Sequence, residues 1–281
     1  MNIDFLSLLW IFFMIAALQP LFRQRMLDSA RQRLIAAIEK RRKSRVITLV
    51  HRQETMSFLG FPIMKYIDLD DSEEVIRAIH MTDPDVPLDL ILHTPGGIAL
   101  AAFQISHAIK NRKGKVTAFV PHYAMSGGTL LALAADEIVM GEHAVLGPVD
   151  PQVGEFPAAS LLRLVEAKPV SDIDDKTWIL ADIGRKALEQ MRSQIRYLLD
   201  GKYESDRSDR LAQILSEGRW THDYPISYEE AESLGLHVSK ELPQEVYQLM
   251  GLYPQPVRHR ASVEYTPSPK FKGQGERPRV D

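Results

Sequence analysis

Two nearly continuous apolar runs in the middle of the chain, each followed by a pair of glycines, most constrain how this sequence can fold. The runs Leu88–Thr94 and Val116–Val120 show little polar alternation, which is typical of strands buried on both faces. Further strand patterns lie at Val46–His51 and Glu137–Met140, and helical patterns at Ser72–Met81, Ile98–Lys110 and Thr129–Ala135. Asp70 and Asp71 are candidates for the N-cap of the first helix. Strands that alternate with helices predict an α/β domain with a mainly parallel sheet.

The C-terminal half of the chain is mainly helical. The helical patterns after Pro157 include Thr177–Leu199, Asp206–Glu217 and Ser227–Leu234. From Pro254 onward prolines and basic residues replace apolar ones, which predicts a disordered tail over 253–281. The chain has 281 residues, of which 45% are hydrophobic, so the segment 46–252 is long enough to bury a core as one domain.

The charge balance and the cysteine content exclude several functions. Lys plus Arg number 34 and Asp plus Glu 37, for a formal net charge of −3, which argues against a protein that binds nucleic acid through bulk positive charge. The absence of cysteine excludes disulfides, thiol catalysis and cysteine-ligated metals. The histidines lack metal-ligand spacing, and the sequence has no phosphate loop or dinucleotide fingerprint. We therefore expect neither a metal nor an organic cofactor.

The N-terminal segment is the most apolar part of the chain. Within Phe5–Leu18 only Ser7 is polar, and the mainly apolar run continues to Phe22, close to the minimum length of a membrane-spanning helix. A cleaved signal peptide would carry positive charge before the run and end in small residues, whereas this run follows Asp4 and ends in Leu-Gln-Pro. We therefore expect an uncleaved transmembrane anchor over 3–22, in preference to a buried core helix.

A strongly basic stretch follows the apolar run. Its cations are Arg23, Arg25, Arg31, Arg33, Lys40, Arg41, Arg42, Lys43 and Arg45, and only Asp28 and Glu39 oppose them. The positive-inside rule then places the body of this single-pass protein in the cytoplasm. Leucine and isoleucine recur at helical spacing within 23–45, so we expect a helix whose charges contact anionic lipid headgroups.

The two glycine pairs mark the places where chemistry could occur. Gly96 and Gly97 follow a strand, where they could let the backbone approach a ligand, although a plain tight turn is the better interpretation of this pair alone. Ser126 precedes the second pair, which begins at Gly127 and leads into an apolar helix. A serine at such a turn is either a nucleophile beside free backbone amides or an ordinary helix N-cap.

Together these motifs resemble the Clp-protease/crotonase superfamily, and within it the serine dehydrogenase proteinases, which are membrane-anchored relatives of signal peptide peptidase A. The matching residues are LILHTPGG (Leu90–Gly97), AMSGGTLLALAADEIVMGEHAVLGPVDPQ (Ala124–Gln152) and YEEAESLGLHV (Tyr228–Val238). The resemblance implies a Clp/crotonase-like β-α superhelix with a helical C-terminal part, and often a homo-oligomer. It also implies that Ser126 is the nucleophile and that the amides of Gly97 and Gly127 form an oxyanion hole.

The resemblance offers more than one general base. The serine dehydrogenase proteinases order their triad Ser, Asp, His, which implies Ser126, Asp150 and a later histidine. His222 is the best candidate because it lies in a polar, turn-like segment, where functional residues are common. His143 follows the nucleophile closely, and His237 adjoins an apolar strand.

Signal peptide peptidase A instead uses a Ser–Lys dyad, which makes Lys186 and Lys176 alternative bases. With either base, we expect a membrane-anchored serine endopeptidase that faces the cytoplasm, hydrolyses polypeptide substrates and does not bind nucleic acid. Two other functions stay open. One is a catalytically silent Clp-fold membrane scaffold, in which the glycine turns only build the fold. The other is an acyl-CoA-binding enzyme of the crotonase type, which would use glutamate bases and no serine nucleophile.

Overall fold

The computed structural model describes residues 5–52 and 65–253, apart from several side chains within 5–23. The helices are α1 Phe5–Arg42, α2 Leu69–His80, α3 Ala99–Lys110, α4 Gly127–Ala134, α5 Ala158–Ala167, α6 Asp175–Leu199, α7 Ser205–Ser216, α8 Tyr228–Leu234 and α9 Gln244–Gly251. The strands are β1 Arg45–Val50, β2 Leu88–His93, β3 Val116–Val120, β4 Tyr123–Ala124, β5 Glu137–Met140, β6 Val145–Leu146, β7 Gln152–Val153, β8 Phe156–Pro157, β9 Ile226–Ser227 and β10 Val238–Ser239.

A parallel sheet of five strands, in the order β1-β2-β3-β5-β10, forms the centre of the fold. Strands β2 and β3 are buried along their whole length, as their apolar runs predict. Ile47 lies opposite Leu90 in the register of β1 and β2, and Ile91 lies opposite Phe119 in that of β2 and β3. The predicted α/β fold with a mainly parallel sheet is confirmed.

Helices cover both faces of this sheet and bury a hydrophobic core on each. On one face, Leu90 and Leu92 pack with buried residues of α3, α4 and α6. On the other face, Ile91 and Phe119 pack with residues of α1 and α9. Successive residues of β2 therefore point into different cores, as the alternation of a strand requires. The first glycine pair follows β2, and Ser126 with the second pair follows β4, the short strand after β3.

The N-terminal architecture differs from the prediction. The described part of the expected anchor at 3–22 and most of the expected basic helix at 23–45 form one continuous helix, α1, over Phe5–Arg42. Residues 3 and 4 lie outside the described residues. This helix ends at Arg42 because Lys43 takes a positive φ of 54°, and β1 then begins at Arg45. Within the described ranges, no helix is long and apolar enough to cross a membrane. The transmembrane helix of the predicted fold is therefore not found there.

Two further boundaries differ in detail from the sequence predictions. The N-cap of α2 is Asp68, and neither Asp70 nor Asp71 takes that position; Asp71 instead completes a capping box with Asp68. At the other end of the domain, the hydroxyls of Tyr253 and Thr48 lie 3.0 Å apart, so the domain extends to Tyr253. The rest of the tail predicted over 253–281 lies outside the described residues.

Candidate active site

Ser126 sits at a strained turn between β4 and α4. Its φ of 49° and ψ of −114° are unusual for a residue with a side chain, and its hydroxyl makes no capping hydrogen bond. An ordinary N-cap serine has extended backbone angles and bonds an amide of the first helical turn. Ser126 is therefore not an ordinary N-cap. A serine held on a sharp strand-to-helix turn is instead typical of a nucleophile that must be exposed to a substrate.

The helix that follows Ser126 is entirely buried. Every residue of α4, from Gly127 to Ala134, is packed in the core. The amino end of a helix carries a partial positive charge from its free amides, and burial reduces the screening of that charge by water. The packing of α4 therefore fixes the position of Ser126 and favours negative charge beside it.

The first glycine pair lies directly against Ser126, and both positions require glycine. Gly96 has a φ of 102°, and a Cβ added there would lie 2.8 Å from the Cβ of Ser126 and 3.1 Å from the nitrogen of Gly127. A Cβ added to Gly97 would lie 2.2 Å from the backbone oxygen of Ile67. Real Cβ atoms essentially never approach so closely, so any side chain at either position would displace the turn.

The backbone amides of Gly97 and Gly127 have no hydrogen-bond acceptor within the described part of the chain. The N–H of Ile67 donates to the oxygen of Gly96, and the oxygen of Ile67 accepts the N–H of Ile98. In this parallel bridge the N–H of Gly97 faces away from Ile67. The Cβ position of Gly127 lies 3.6 Å from the nitrogen of Gly97, so the two residues are neighbours in the site. Two free amides next to a serine can stabilise a negatively charged oxygen.

A histidine–carboxylate pair forms another part of the site. His222 Nδ1 lies 2.8 Å from Oδ1 of Asp150, whose side chain is only 3% exposed. The hydrogen bond with Asp150 raises the pKa of His222 above its ordinary value, against the opposing effect of burial. Because the carboxylate can only accept, Nδ1 carries the proton and Nε2 of the neutral ring is left as the acceptor.

Gln152, which the sequence analysis did not identify, completes the contacts of Asp150. Its Nε2 donates to Asp150 Oδ2 at 2.8 Å and lies 3.4 Å from His222 Nδ1. One oxygen of Asp150 is thus held by Gln152, and the other is left for His222. Asp150 and Gln152 lie on either side of Pro151, and this close spacing is a signal in the sequence that could have suggested the contact.

These groups meet in one cavity of about 300 Å³. Its lining includes all five site residues expected from the sequence, namely Gly97, Ser126, Gly127, Asp150 and His222. Its remaining wall is largely apolar, with Phe103 from α3, Leu130 from α4 and Met191 from α6. The cavity can therefore hold an uncharged side chain next to the Ser126 hydroxyl.

The other predicted bases lie elsewhere. Lys186, on the surface of α6, forms an ion pair with Asp182 at 2.5 Å, and Lys176 is exposed near the start of the same helix. His143 is exposed, and the ring of His237 stacks on that of Tyr203. None of these four candidates lines the cavity that contains Ser126.

A serine at a strained strand-to-helix turn, two free amides and an aspartate-bound histidine form the constellation of a serine hydrolase site. The chain belongs to the ClpP-like SDH-type serine proteinases, whose family model matches residues 2–280. This membership confirms the family predicted from the glycine motifs.

Two curated relatives come from Methanocaldococcus jannaschii. The uncharacterized protein MJ0137 is 50% identical over 260 residues, which cover 92% of this chain and 91% of that protein. The uncharacterized protein MJ1495 is 46% identical over 276 residues, which cover 98% and 94% of the two chains.

Two solved structures are similar at lower identity. One is a mutant of the 1510-N membrane-bound stomatin-specific protease, with a TM-score of 0.45 and 22% identity, over 66% of this chain and 79% of that one. The other is ClpP1 from Listeria monocytogenes, with a TM-score of 0.47 and 15% identity, over 75% and 99% of the two chains.

Proposed function

We propose that this protein is a serine endopeptidase in which the hydroxyl of Ser126 attacks the carbonyl carbon of a peptide bond. The observation that carries the proposal is the convergence of Ser126, two free amides and the His222–Asp150 pair on one cavity. Membership of a serine proteinase family supports the same class of reaction. The apolar wall of the cavity favours a polypeptide substrate with an uncharged side chain beside the scissile bond.

His222 is the proposed general base. Its Nε2 takes the proton from Ser126 Oγ as the bond to the carbonyl carbon forms, while Asp150 holds the protonated Nδ1. The substrate oxygen becomes negatively charged in the tetrahedral intermediate, and the amides of Gly97 and Gly127 stabilise it. His222 then donates the proton to the leaving nitrogen, and a water molecule activated by the same base hydrolyses the acyl-enzyme. Apart from this water molecule, the proposed steps use groups of the chain and need no metal or organic cofactor.

We also propose that α1 attaches the protein to a membrane, with the peptidase domain in the cytoplasm. Three large apolar side chains of α1 support this: Trp10, Phe13 and Phe22 are 69%, 58% and 61% exposed. Exposed apolar side chains on one helix favour contact with lipid or protein, and the cations that follow favour anionic headgroups. Protease added to sealed inside-out vesicles should digest the domain. Digestion only from the extracytoplasmic side would refute this orientation.

A homo-oligomer is a further part of the proposal. Ile179 and Ile183 of α6 are 60% and 45% exposed, and Val170, shortly before this helix, is 69% exposed. Ile179 and Ile183 lie one helical turn apart, and large apolar side chains exposed together in this way favour contact with another protein. A second copy of this chain would cover them. Light scattering on the full chain in detergent should therefore give a mass of two or more chains.

The cavity gives less support to the two alternative functions. None of its lining residues is a glutamate, the base that an acyl-CoA enzyme of the crotonase type would use. A silent scaffold would not require an aspartate and a glutamine to orient a histidine in the cavity that contains Ser126. The strained backbone of Ser126 also has no evident structural use in a scaffold.

A fluorophosphonate probe, which forms a tetrahedral adduct with an activated serine, tests the proposal. The full chain in detergent should react with the probe and cleave an unfolded polypeptide such as casein, and Ser126→Ala should do neither. That variant should fold, since the hydroxyl makes no hydrogen bond that stabilises the helix. Wild-type protein that resists the probe and leaves casein intact would refute the peptidase proposal in favour of the scaffold.

The identity of the base needs a separate comparison. His222→Gln should lower kcat by about 10³-fold or more, as the loss of a triad member does. Lys186→Ala and Lys176→Ala should retain most of the activity, because both lysines lie on the surface away from the cavity. If a lysine variant loses activity and His222→Gln keeps it, the base is the lysine.

A further inference from the structure

A buried chain of hydrogen bonds lies next to the proposed active site and includes none of its triad residues. His51 follows β1, and Thr94 follows the neighbouring strand β2; their exposed fractions are 5% and 0%. His51 Nδ1 lies 2.9 Å from Thr94 Oγ1, and its Nε2 lies 3.1 Å from Oδ2 of Asp71 in the first turn of α2. The parallel pairing of β1 with β2 brings these residues together.

The direction of each hydrogen bond follows from the carboxylate. Asp71 Oδ2 can only accept, and it also accepts from the backbone nitrogen of Asp68, so Nε2 of His51 carries a proton. In the neutral ring, Nδ1 is then the acceptor for the hydroxyl of Thr94 at 2.9 Å, and it is a closer acceptor than the backbone oxygen of Gly96 at 3.4 Å. That hydroxyl oxygen in turn accepts the backbone N–H of Gly96 at 3.2 Å. The chain of bonds therefore runs from Gly96 through Thr94 and His51 to Asp71.

This aspartate–histidine–threonine set has the composition of a catalytic triad, but it cannot act as one. The side chain of Thr94 is fully buried, so no substrate carbonyl can reach its hydroxyl. Its backbone nitrogen and oxygen are also engaged, with Tyr123 and Met125 of the segment that leads to Ser126. The hydroxyl is used inside the protein, and the group that it holds is the amide of Gly96.

That amide belongs to the turn that presents the proposed oxyanion hole. Gly96 is bonded on both sides, since its oxygen accepts the N–H of Ile67 at 2.7 Å. The Cβ position of Gly96 lies 2.8 Å from the Cβ of Ser126, so the turn has no free space on that side. If the backbone between Thr94 and Gly97 rotated, the N–H of Gly97 would turn away from the position of the substrate oxygen.

We propose that His51, acting through Thr94, is a positioning residue that fixes the Gly96-Gly97 turn in the orientation needed for transition-state stabilisation. The inference rests on the proposed serine peptidase function. His51 does not act on the substrate or on Ser126. Its hydrogen bond orients the hydroxyl of Thr94, and the oxygen of that hydroxyl then accepts the N–H of Gly96. Asp71 fixes the ring of His51, as a carboxylate partner does for an imidazole with a defined tautomer.

Variants of Thr94 test this inference most directly. Thr94→Val keeps the shape of the side chain and removes the hydroxyl, whereas Thr94→Ser keeps the hydroxyl. In the full chain with casein as substrate, Thr94→Val should lower kcat by about ten- to hundredfold, less than the loss of an oxyanion-hole donor outright. KM should stay within about twofold, because the oxyanion hole acts on the transition state. Thr94→Ser should stay near the wild-type kcat.

Two comparisons separate positioning from a merely structural effect. Thr82→Val is the matched control, since Thr82 donates to the backbone oxygen of Ala78 at 2.7 Å, away from the site, and its kcat should not change. Each kcat is divided by the number of sites that the fluorophosphonate probe finally labels, so that misfolded protein is not counted.

Variants of His51 keep the test decisive if Thr94→Val does not fold. His51→Asn can still accept from Thr94, whereas His51→Leu cannot, so kcat should be higher in His51→Asn. The double variant His51→Leu/Thr94→Val should have about the same kcat as the less active of the two single variants, since both substitutions break the same chain of hydrogen bonds.

Each result has one meaning. Suppose that the wild type reacts with the probe but Thr94→Val has an unchanged kcat, or His51→Asn and His51→Leu have equal kcat values. The positioning inference is then overturned, and the proposed function stands. Additive losses in the double variant also overturn the positioning inference. A wild-type protein that does not react overturns both the inference and the proposed function.

Discussion

Replacing Asp150 with asparagine should disable the proposed general base and keep the shape of the site. In the wild type, Gln152 Nε2 donates to Asp150 Oδ2 at 2.8 Å, and a weaker contact of 3.5 Å to the backbone oxygen of Asp150 holds the amide in this orientation. The new asparagine must therefore turn its oxygen toward Gln152 and its NH₂ group toward His222. His222 then accepts at Nδ1 and carries its proton on Nε2, which can no longer receive the proton of Ser126.

The size of the effect has two parts. A pair of unit charges about 4 Å apart is worth about 4 kcal/mol at an effective dielectric constant near 20. His222 is 39% exposed, so water reduces the loss of this charge pair to about 1–2 kcal/mol. The wrong tautomer adds the rest, and we expect a fall in kcat of about 10³–10⁴-fold, or about 4–5.5 kcal/mol.

A second substitution should restore part of the activity. In the background of Asp150→Asn, the change Gln152→Glu replaces the donor by an acceptor, which turns the asparagine NH₂ toward residue 152 and its oxygen toward His222. Nδ1 of His222 can then donate again, and kcat should recover by at least about tenfold. Steady-state cleavage of casein measures both variants, and Gln152→Glu alone is the control. A double variant no faster than Asp150→Asn would refute the tautomer argument.

The pH dependence gives the same variant a second readout. In the wild type the hydrogen bond with Asp150 raises the pKa of His222, so the base becomes free only as the pH rises through that higher value. Without the carboxylate the pKa falls, and the acidic limb of kcat/KM should move to lower pH. A limb that does not move would show that another group titrates.

Two further predictions concern the elements that hold the site. Gly97→Ala should abolish probe labelling and lower the melting temperature, because its Cβ would lie 2.2 Å from the oxygen of Ile67. Gly251→Ala is the control, since no atom lies within 4 Å of its Cβ position, and it should change neither labelling nor thermal unfolding. Lys202 Nζ donates to the last carbonyls of α4 and its neighbour, at 2.6–2.9 Å, so Lys202→Met should cost about 1–3 kcal/mol in urea unfolding. Burial lowers the pKa of Lys202 from 10.5 to about 8, so the unfolded chain binds this proton more tightly. The wild type should therefore gain stability relative to Lys202→Met as the pH rises from 8 to 10.5, and a loss would contradict the assignment.

Sequence periodicity predicted the centre of the fold well because the strands are buried on both faces. The bounds of β3 and β5 match their apolar runs, Val116–Val120 and Glu137–Met140. The N-cap of α2 was missed because Asp68 and the two aspartates after it have similar capping ability, and only the backbone path selects Asp68. Helix α9 was missed because it is short and its apolar face is defined by packing against α1.

The sequence also selected the residues that line the cavity, although they lie far apart in the chain. The turn marked Ser126 as either a nucleophile or an N-cap, and the family resemblance selected it as the nucleophile together with Asp150 and His222. The contact between His51 and Thr94 could not be predicted, since it depends on the register of two parallel strands whose residues are 43 positions apart. Neither residue has a sequence motif that distinguishes a buried hydrogen-bond partner from an ordinary core residue.

The central claim is that Ser126 reacts in an oxyanion hole formed by Gly97 and Gly127. A crystal structure of the full chain after reaction with a peptidyl fluorophosphonate tests it most directly. We expect a covalent bond from phosphorus to Ser126 Oγ, with the phosphoryl oxygen about 2.7–3.1 Å from both amide nitrogens. We also expect His222 Nε2 within hydrogen-bond distance of the adduct. An adduct on another residue, or a phosphoryl oxygen that faces away from both amides, would refute the proposed nucleophile or the proposed oxyanion hole.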